Sequence, residues 1–270
     1  MMKSAITICQ VPEALEGPFV LRTPLPEAFA TAAAIGFDAV ELFLPGPDFV
    51  STDEVKSLAA ANGLSIAAVG TGAGMLRHGF SITDVSAEKR EAALEFVFSM
   101  IDFGGALHAP AILGSMQGRC PVGMEREEAL DLLAVGLRRC AERAAEHGVP
   151  FIYEPLNRYE TNLFNRLPDA ARFLEKRDLE NVVLLADLFH MNIEEPDLPA
   201  SIREAGGHIG HVHFADSNRQ AMGFGHTDAK GAVAALRETG YSGYLSAEIL
   251  PLPDPESAAR QTIISIRSLD

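Results

Sequence analysis

Four side chains with metal-binding chemistry, Glu154, Asp187, His213 and Glu248, each sit at the far end of a separate short apolar run. The runs read VPFIYE, NVVLLAD, HIGHVHF and GYLSAE. Each reads as a buried strand that delivers one oxygen or nitrogen donor to a common point. Three carboxylates and one imidazole make a hard, oxygen-rich set that suits manganese, magnesium or cobalt better than a structural zinc. The pattern predicts an enzyme that holds one divalent metal ion. A single acidic residue ending a strand is as readily explained as the N-cap of the next helix. Four consecutive strands behaving alike are much harder to explain by capping.

The elements that must position these residues alternate along the whole chain. Strand candidates lie at 4–9, 38–43, 64–70, 110–114, 149–154, 181–187, 208–214 and 243–249, with helical patterns between them. Ser86, and Thr52 with Glu54, mark helix starts, and Gly63, Gly148 and Gly240 mark helix ends. Eight apolar strands alternating with eight helices predict a parallel sheet buried on both faces. The length of 270 residues gives about 34 per unit, which fits a (β/α)8 TIM barrel as a single domain over 1–270. An open doubly wound sheet is the alternative, but Gly70-Thr71-Gly72-Ala73-Gly74 has the wrong spacing for a dinucleotide fingerprint and reads as a tight turn. In a barrel, chemistry sits at the C-terminal ends of the strands, where strands five to eight would place all four donors.

Bulk composition narrows the partners. A formal charge of −15 opposes nucleic acid and anionic membrane surfaces, because phosphate binding needs a cationic face. Cys9, Cys120 and Cys140 show no CxxC spacing, and an odd number fits reduced thiols. No signal-like or 18-residue apolar segment occurs, so a cytoplasmic location is expected. A homo-oligomer is left open.

The segments EPLNRYE (154–160), ADLFHMN (186–192), HVHFADSNR (211–219) and AEIL (247–250) resemble the ketose 3-epimerase family, of the tagatose and psicose 3-epimerase type, within the xylose-isomerase-like barrels. The donor separations of 33, 26 and 35 residues fit that pattern too. The resemblance is specific over 150–250 and at the level of the fold before that. It implies that Glu154, Asp187, His213 and Glu248 bind one divalent metal and that Glu154 and Glu248 face each other as the acid–base pair. It also implies that Glu160, His190 and Arg219 contact a small sugar or sugar-acid substrate. The chemistry expected is epimerisation beside a ketone through an enediolate. The alternatives are aldose–ketose isomerisation, or decarboxylation or dehydration of a 3-oxo sugar acid, at the same metal. A DNA-repair endonuclease would need more histidines and a cationic face, and a sugar binder would need no opposed bases.

His211 shares a strand face with His213 and is expected below it. His226 could cover the pocket and Ser115 could line it. The family's pocket tryptophan has no counterpart, because the chain has no Trp; Phe43, Phe164 and Phe214 are the aromatics near strand ends.

Overall fold

The computed structural model describes residues 2–269 and closes eight parallel strands into a barrel in sequence order. The strands are β1 (Lys3–Cys9), β2 (Ala39–Phe43), β3 (Ser65–Gly70), β4 (Ala111–Leu113), β5 (Phe151–Tyr153), β6 (Val182–Asp187), β7 (Ile209–His213) and β8 (Tyr244–Ala247). Each falls on a strand expected from the sequence, with ends shifted by at most two residues. Pairing of Ala5 with Ser246 closes β8 onto β1.

The surrounding helices are α1 (Leu25–Ile35), α2 (Thr52–Asn62), α3 (Ala73–His78), α4 (Ala87–Ala106), α5 (Arg126–Glu146), α6 (Leu167–Lys176), α7 (Leu188–Glu194), α8 (Leu198–Ala205), α9 (Ala229–Glu238) and α10 (Pro255–Ser268). Two of these exceed the eight expected. The glycine-rich turn after β3 opens into α3, and Asp187 starts α7 by accepting from the Phe189 and His190 amides. The cap of α2 is Ser51 rather than Thr52: its hydroxyl accepts from Glu54 N at 3.2 Å, and Thr52 is the first helical residue. Ser86 caps α4 as expected.

Alternation along the strands divides two environments. Ile6 and Ile8 of β1, Val40 and Leu42 of β2, and Leu184 and Ala186 of β6 join Phe29, Met100 and Leu133 in the main core. The opposite set points into the barrel. There Ala68, Ile112, Ile152 and Leu185 of β3–β6 pack as one apolar cluster. Thr7, Glu41, His211 and Ser246 are buried and polar, and come from β1, β2, β7 and β8. One side of the barrel interior is oily and the other is charged, and the charged side supports the site above it.

Candidate metal centre and active site

Strand register brings the donors together. Asp187 pairs with His213 across β6 and β7, and His213 pairs with Ser246 across β7 and β8. Glu154 follows β5 directly, and Glu248 follows β8. His213 Nδ1 lies 3.3 Å from Asp187 Oδ2, 3.5 Å from Glu154 Oε1 and 3.7 Å from Glu248 Oε2. Donor atoms of Glu154, Asp187 and His213, all buried, fall within 4.8 Å of one another. Asp187 divides its two oxygens. Oδ1 caps α7, at 2.8 Å from Phe189 N and 3.3 Å from His190 N, while Oδ2 faces the centre. Capping and donor roles compete as explanations in the sequence, but one carboxylate has an oxygen available for each.

The electrostatics show what this cluster lacks. Burial pushes Glu154 up to about 7, and the Asp187 and Glu248 charges add to that push against His213. Burial acts in the same direction on Asp187, but His190, Arg219 and His213 override it and hold that carboxyl below the usual range. Burial disfavours a charged His213, yet Glu41 and Glu248 hold its imidazole well above its ordinary value. The guanidinium of Arg219 hydrogen-bonds Glu248 Oε2 and lies 3.6 Å from Asp187 Oδ2. Converging carboxylates thus draw in a proton and a guanidinium as positive charge. A hard divalent cation fits the same donor set.

Beneath the centre stands a residue the sequence reading missed. Glu41 of β2 accepts from Thr7 Oγ1 at 3.1 Å and Ser246 Oγ at 3.1 Å, and its Oε2 lies 2.8 Å from His211 Nε2. Its Oε1 lies 3.4 Å from His213 Nε2, a buried nitrogen with no hydrogen-bond partner of its own. Such a carboxylate sets the orientation of a ligating imidazole, here directing Nδ1 toward the acids. His211 sits below His213, as expected. The signal for Glu41 was an acid within AVELF, a strand buried at every position.

The three expected substrate contacts gather at the same mouth. His190, on α7, is buried; its Nε2 lies 3.6 Å from Asp187 Oδ2 and 3.9 Å from Glu154 Oε1. Asn157 Nδ2 donates to His190 Nδ1 at 2.7 Å and to Glu160 Oε1 at 2.9 Å. Burial lowers His190 more than Asp187 raises it, which favours the neutral ring, and Arg219 Nη1 lies 3.4 Å from its Nε2. Arg219 has a left-handed backbone, with φ of 59°. Its loop is tied by Asp216, whose carboxylate accepts from the amides of Ser217, Gly223, Gly225 and Thr227 at 2.7–3.0 Å. The guanidinium also lies over the Phe189 ring, 4.7 Å from its centroid.

A cavity of about 560 Å³ opens over these groups, and Phe43 and Ser115 line it. Phe164 does not: it packs on Phe173 with centroids 4.7 Å apart. Phe214 is fully buried, and exposed His226 is tied by its amide to Ser217 Oγ instead of covering the pocket. The aromatics found there besides Phe43 are Phe19, in the segment after β1, and Phe189, in α7 just past the end of β6. No helix among the described residues is long and apolar enough to cross a membrane.

Comparison with known proteins agrees with this geometry. The 3-dehydro-D-guloside 4-epimerase of Escherichia coli is 30% identical over 253 residues, covering 90% of this chain and 94% of the relative. The L-ribulose 3-epimerase of Mesorhizobium japonicum is 33% identical over 230 residues, covering 84% and 76%. In fold, the chain superposes on the D-psicose 3-epimerase of Clostridium cellulolyticum, solved with D-tagatose, with a TM-score of 0.83 at 23% identity over 99% of both chains. A sequence profile described as the xylose isomerase-like TIM barrel matches residues 29–269. The chain belongs to the xylose isomerase-like TIM barrel family, among relatives that are sugar epimerases.

Proposed function

We propose that this protein is a divalent-metal-dependent sugar epimerase that inverts a hydroxyl-bearing carbon beside a ketone. The observation that carries the reading is the pair of carboxylates, Glu154 and Glu248, at 3.5 and 3.7 Å from one imidazole nitrogen at the polar end of a cavity. Glu154, Asp187, His213 and Glu248 would hold the cation, which when bound supplies Lewis-acid polarisation of the ketone. One carboxylate takes the proton from the C–H bond beside the ketone. The bonding pair moves into a carbon–carbon double bond as the ketone oxygen gains charge, giving the enediolate. The other group, present as the carboxylic acid, gives its own proton to the opposite face and becomes the carboxylate, and the roles exchange in the reverse direction. His190 and Arg219 would hydrogen-bond the substrate oxygens, with Glu160 beside them.

A neutral sugar is favoured over a sugar acid. Arg219 is the one Lys or Arg among the described residues lining the cavity, and Glu248 and Asp187 already engage it. A substrate carboxylate would instead meet Glu13, Glu16 and Glu160 around the mouth. The test is turnover of a panel of ketoses and 3-oxo sugars by manganese-loaded protein in deuterium oxide. Label should enter the inverted carbon. Inversion with no label there would overturn the proton-transfer mechanism.

A further inference from the structure

We propose that Gly114 and Gln117, just past β4, are the positioning residues of the base Glu154: Gln117 fixes its backbone, and the open face of Gly114 seats its carboxylate. This rests on the epimerase reading and names what holds one of the two bases in place.

Three of the four donors are held by a group outside the set. Asp187 is held by the amides that open α7, His213 by Glu41 and Glu248 by Arg219. Among the described residues, the charged partners of the Glu154 carboxylate are imidazoles of the site itself, His213 at 3.5 Å and His190 at 3.9 Å. Glu154 also stands one residue past the last β4–β5 pairing, of Leu113 with Tyr153. Neither an outside donor nor the strand ladder fixes it.

Gln117 continues the ladder. It is fully buried in the short 3-10 turn Ser115–Gln117, and its Nε2 donates to Gly114 O at 3.0 Å and to Glu154 O at 2.9 Å. Carbonyls only accept, so the amide nitrogen must be the atom that faces them. Tyr153 Oη donates to Gln117 Oε1 at 2.8 Å, and Thr83 Oγ1 donates to Gln117 O at 2.7 Å. One carboxamide thus ties the two strand ends together where their backbones stop pairing. Gly114 governs the side chain. A Cβ there would lie 2.4 Å from Glu154 Oε2, while the next atom it meets, the Glu154 carboxyl carbon, is at 3.6 Å. Oε2 is therefore seated over glycine while Oε1 faces the two imidazoles. A methyl at Gly114 meets the movable end of one side chain and no backbone, so alanine turns the carboxylate without straining the barrel.

The test uses manganese-loaded, full-length Gly114→Ala and Gln117→Met, the second keeping the volume but donating nothing. Each is followed in deuterium oxide on both members of the epimer pair that the parent interconverts fastest among ketoses and 3-oxo sugars. One epimer points its proton at Glu248. That carboxylate takes the proton from carbon, exchanges it for a deuteron from solvent and returns the deuteron to the same face, so the carbon is labelled without inverting. Inversion of the same epimer needs Glu154 to give its proton from the other face. Inversion should fall about 10–100-fold in both variants, the usual cost of losing a residue that orients a ligating group. For that epimer alone, the ratio of exchange to inversion should rise by about tenfold or more, and KM should stay within about threefold of the parent. Manganese affinity, read by titration calorimetry, should fall by about tenfold or more, with thermal unfolding of Gly114→Ala near that of the parent.

An unmoved ratio or an unmoved affinity in Gly114→Ala would overturn the seat, and in Gln117→Met the tie. Exchange and inversion falling together for both epimers, as a smaller folded fraction would give, would overturn the proposal as well. Should Gln117→Met fail to fold, Tyr153→Phe releases the carboxamide at lower structural cost and carries the same expectation. Labelled inversion by the parent, with no ratio moved in any variant, would sink this inference and leave the epimerase reading standing. No inversion of any pair by the parent would overturn both.

Discussion

Glu41 takes hydrogen bonds from Thr7 and Ser246, pairs with His211, and turns its remaining edge to His213. Glu41→Gln keeps the volume but removes the charge that holds His213 Nε2. Manganese affinity, read by titration calorimetry, should fall about 10–100-fold while the fold persists. Unchanged affinity would mean that packing alone orients His213. Glu248→Gln should lower turnover by roughly 10²–10⁴-fold, the usual worth of an acid–base group, and circular dichroism should show the barrel intact. Turnover near the parent level would remove Glu248 from the acid–base pair. The four candidate donors stood out because a charge ending an apolar run is anomalous. Glu41 was not, because a lone Glu inside AVELF reads equally well as a solvent-facing position. Its partner His211 is 170 residues away and is reached only by closing the barrel.

Among the elements, strands were easier to read than short helices. All eight strands lie in mostly apolar runs bounded by turn residues. The six residues of α3 and seven of α7 are too short to show a helical apolar period, and α7 depends on a capping carboxylate that also faces the site. The Arg219 loop was legible as a motif but not as a shape. A φ of 59° at a non-glycine residue persists only when its surroundings enforce it, and here Asp216 does so through four backbone amides. Asp216→Ala leaves those amides without their shared acceptor. It should cost about 1–3 kcal/mol in denaturant unfolding and weaken apparent substrate binding by releasing Arg219. Loss of stability with an unchanged KM would show that Arg219 holds its place without the loop.

The whole molecule couples metal binding to protons. Across the described barrel interior, an apolar cluster from β3–β6 faces a polar set from β1, β2, β7 and β8, so the buried charge of the centre is balanced locally rather than by water. Glu154 binds its proton more tightly in the folded protein, at about 7 against an ordinary 4.5, and His213 is likewise raised. A raised group stabilises the fold below its unfolded value, and that stabilisation is lost as pH rises through the folded value. Asp187 is lowered, so its contribution is lost only in acid and stays constant near neutrality. The metal-free protein should therefore lose stability between pH 6 and 8. A cation must displace the same protons, so its affinity should climb over that interval, by up to about tenfold per pH unit for each proton released. Thermal unfolding at pH 6 and 8, with and without manganese, should show a falling Tm without the metal and a widening gain from adding it. Calorimetry in buffers of differing ionisation enthalpy counts the protons released. Affinity that is flat from pH 6 to 8, with no proton release, would mean that Glu154 and His213 are already deprotonated when the metal arrives, and the balance of charge at the centre would have to be held by Arg219 alone.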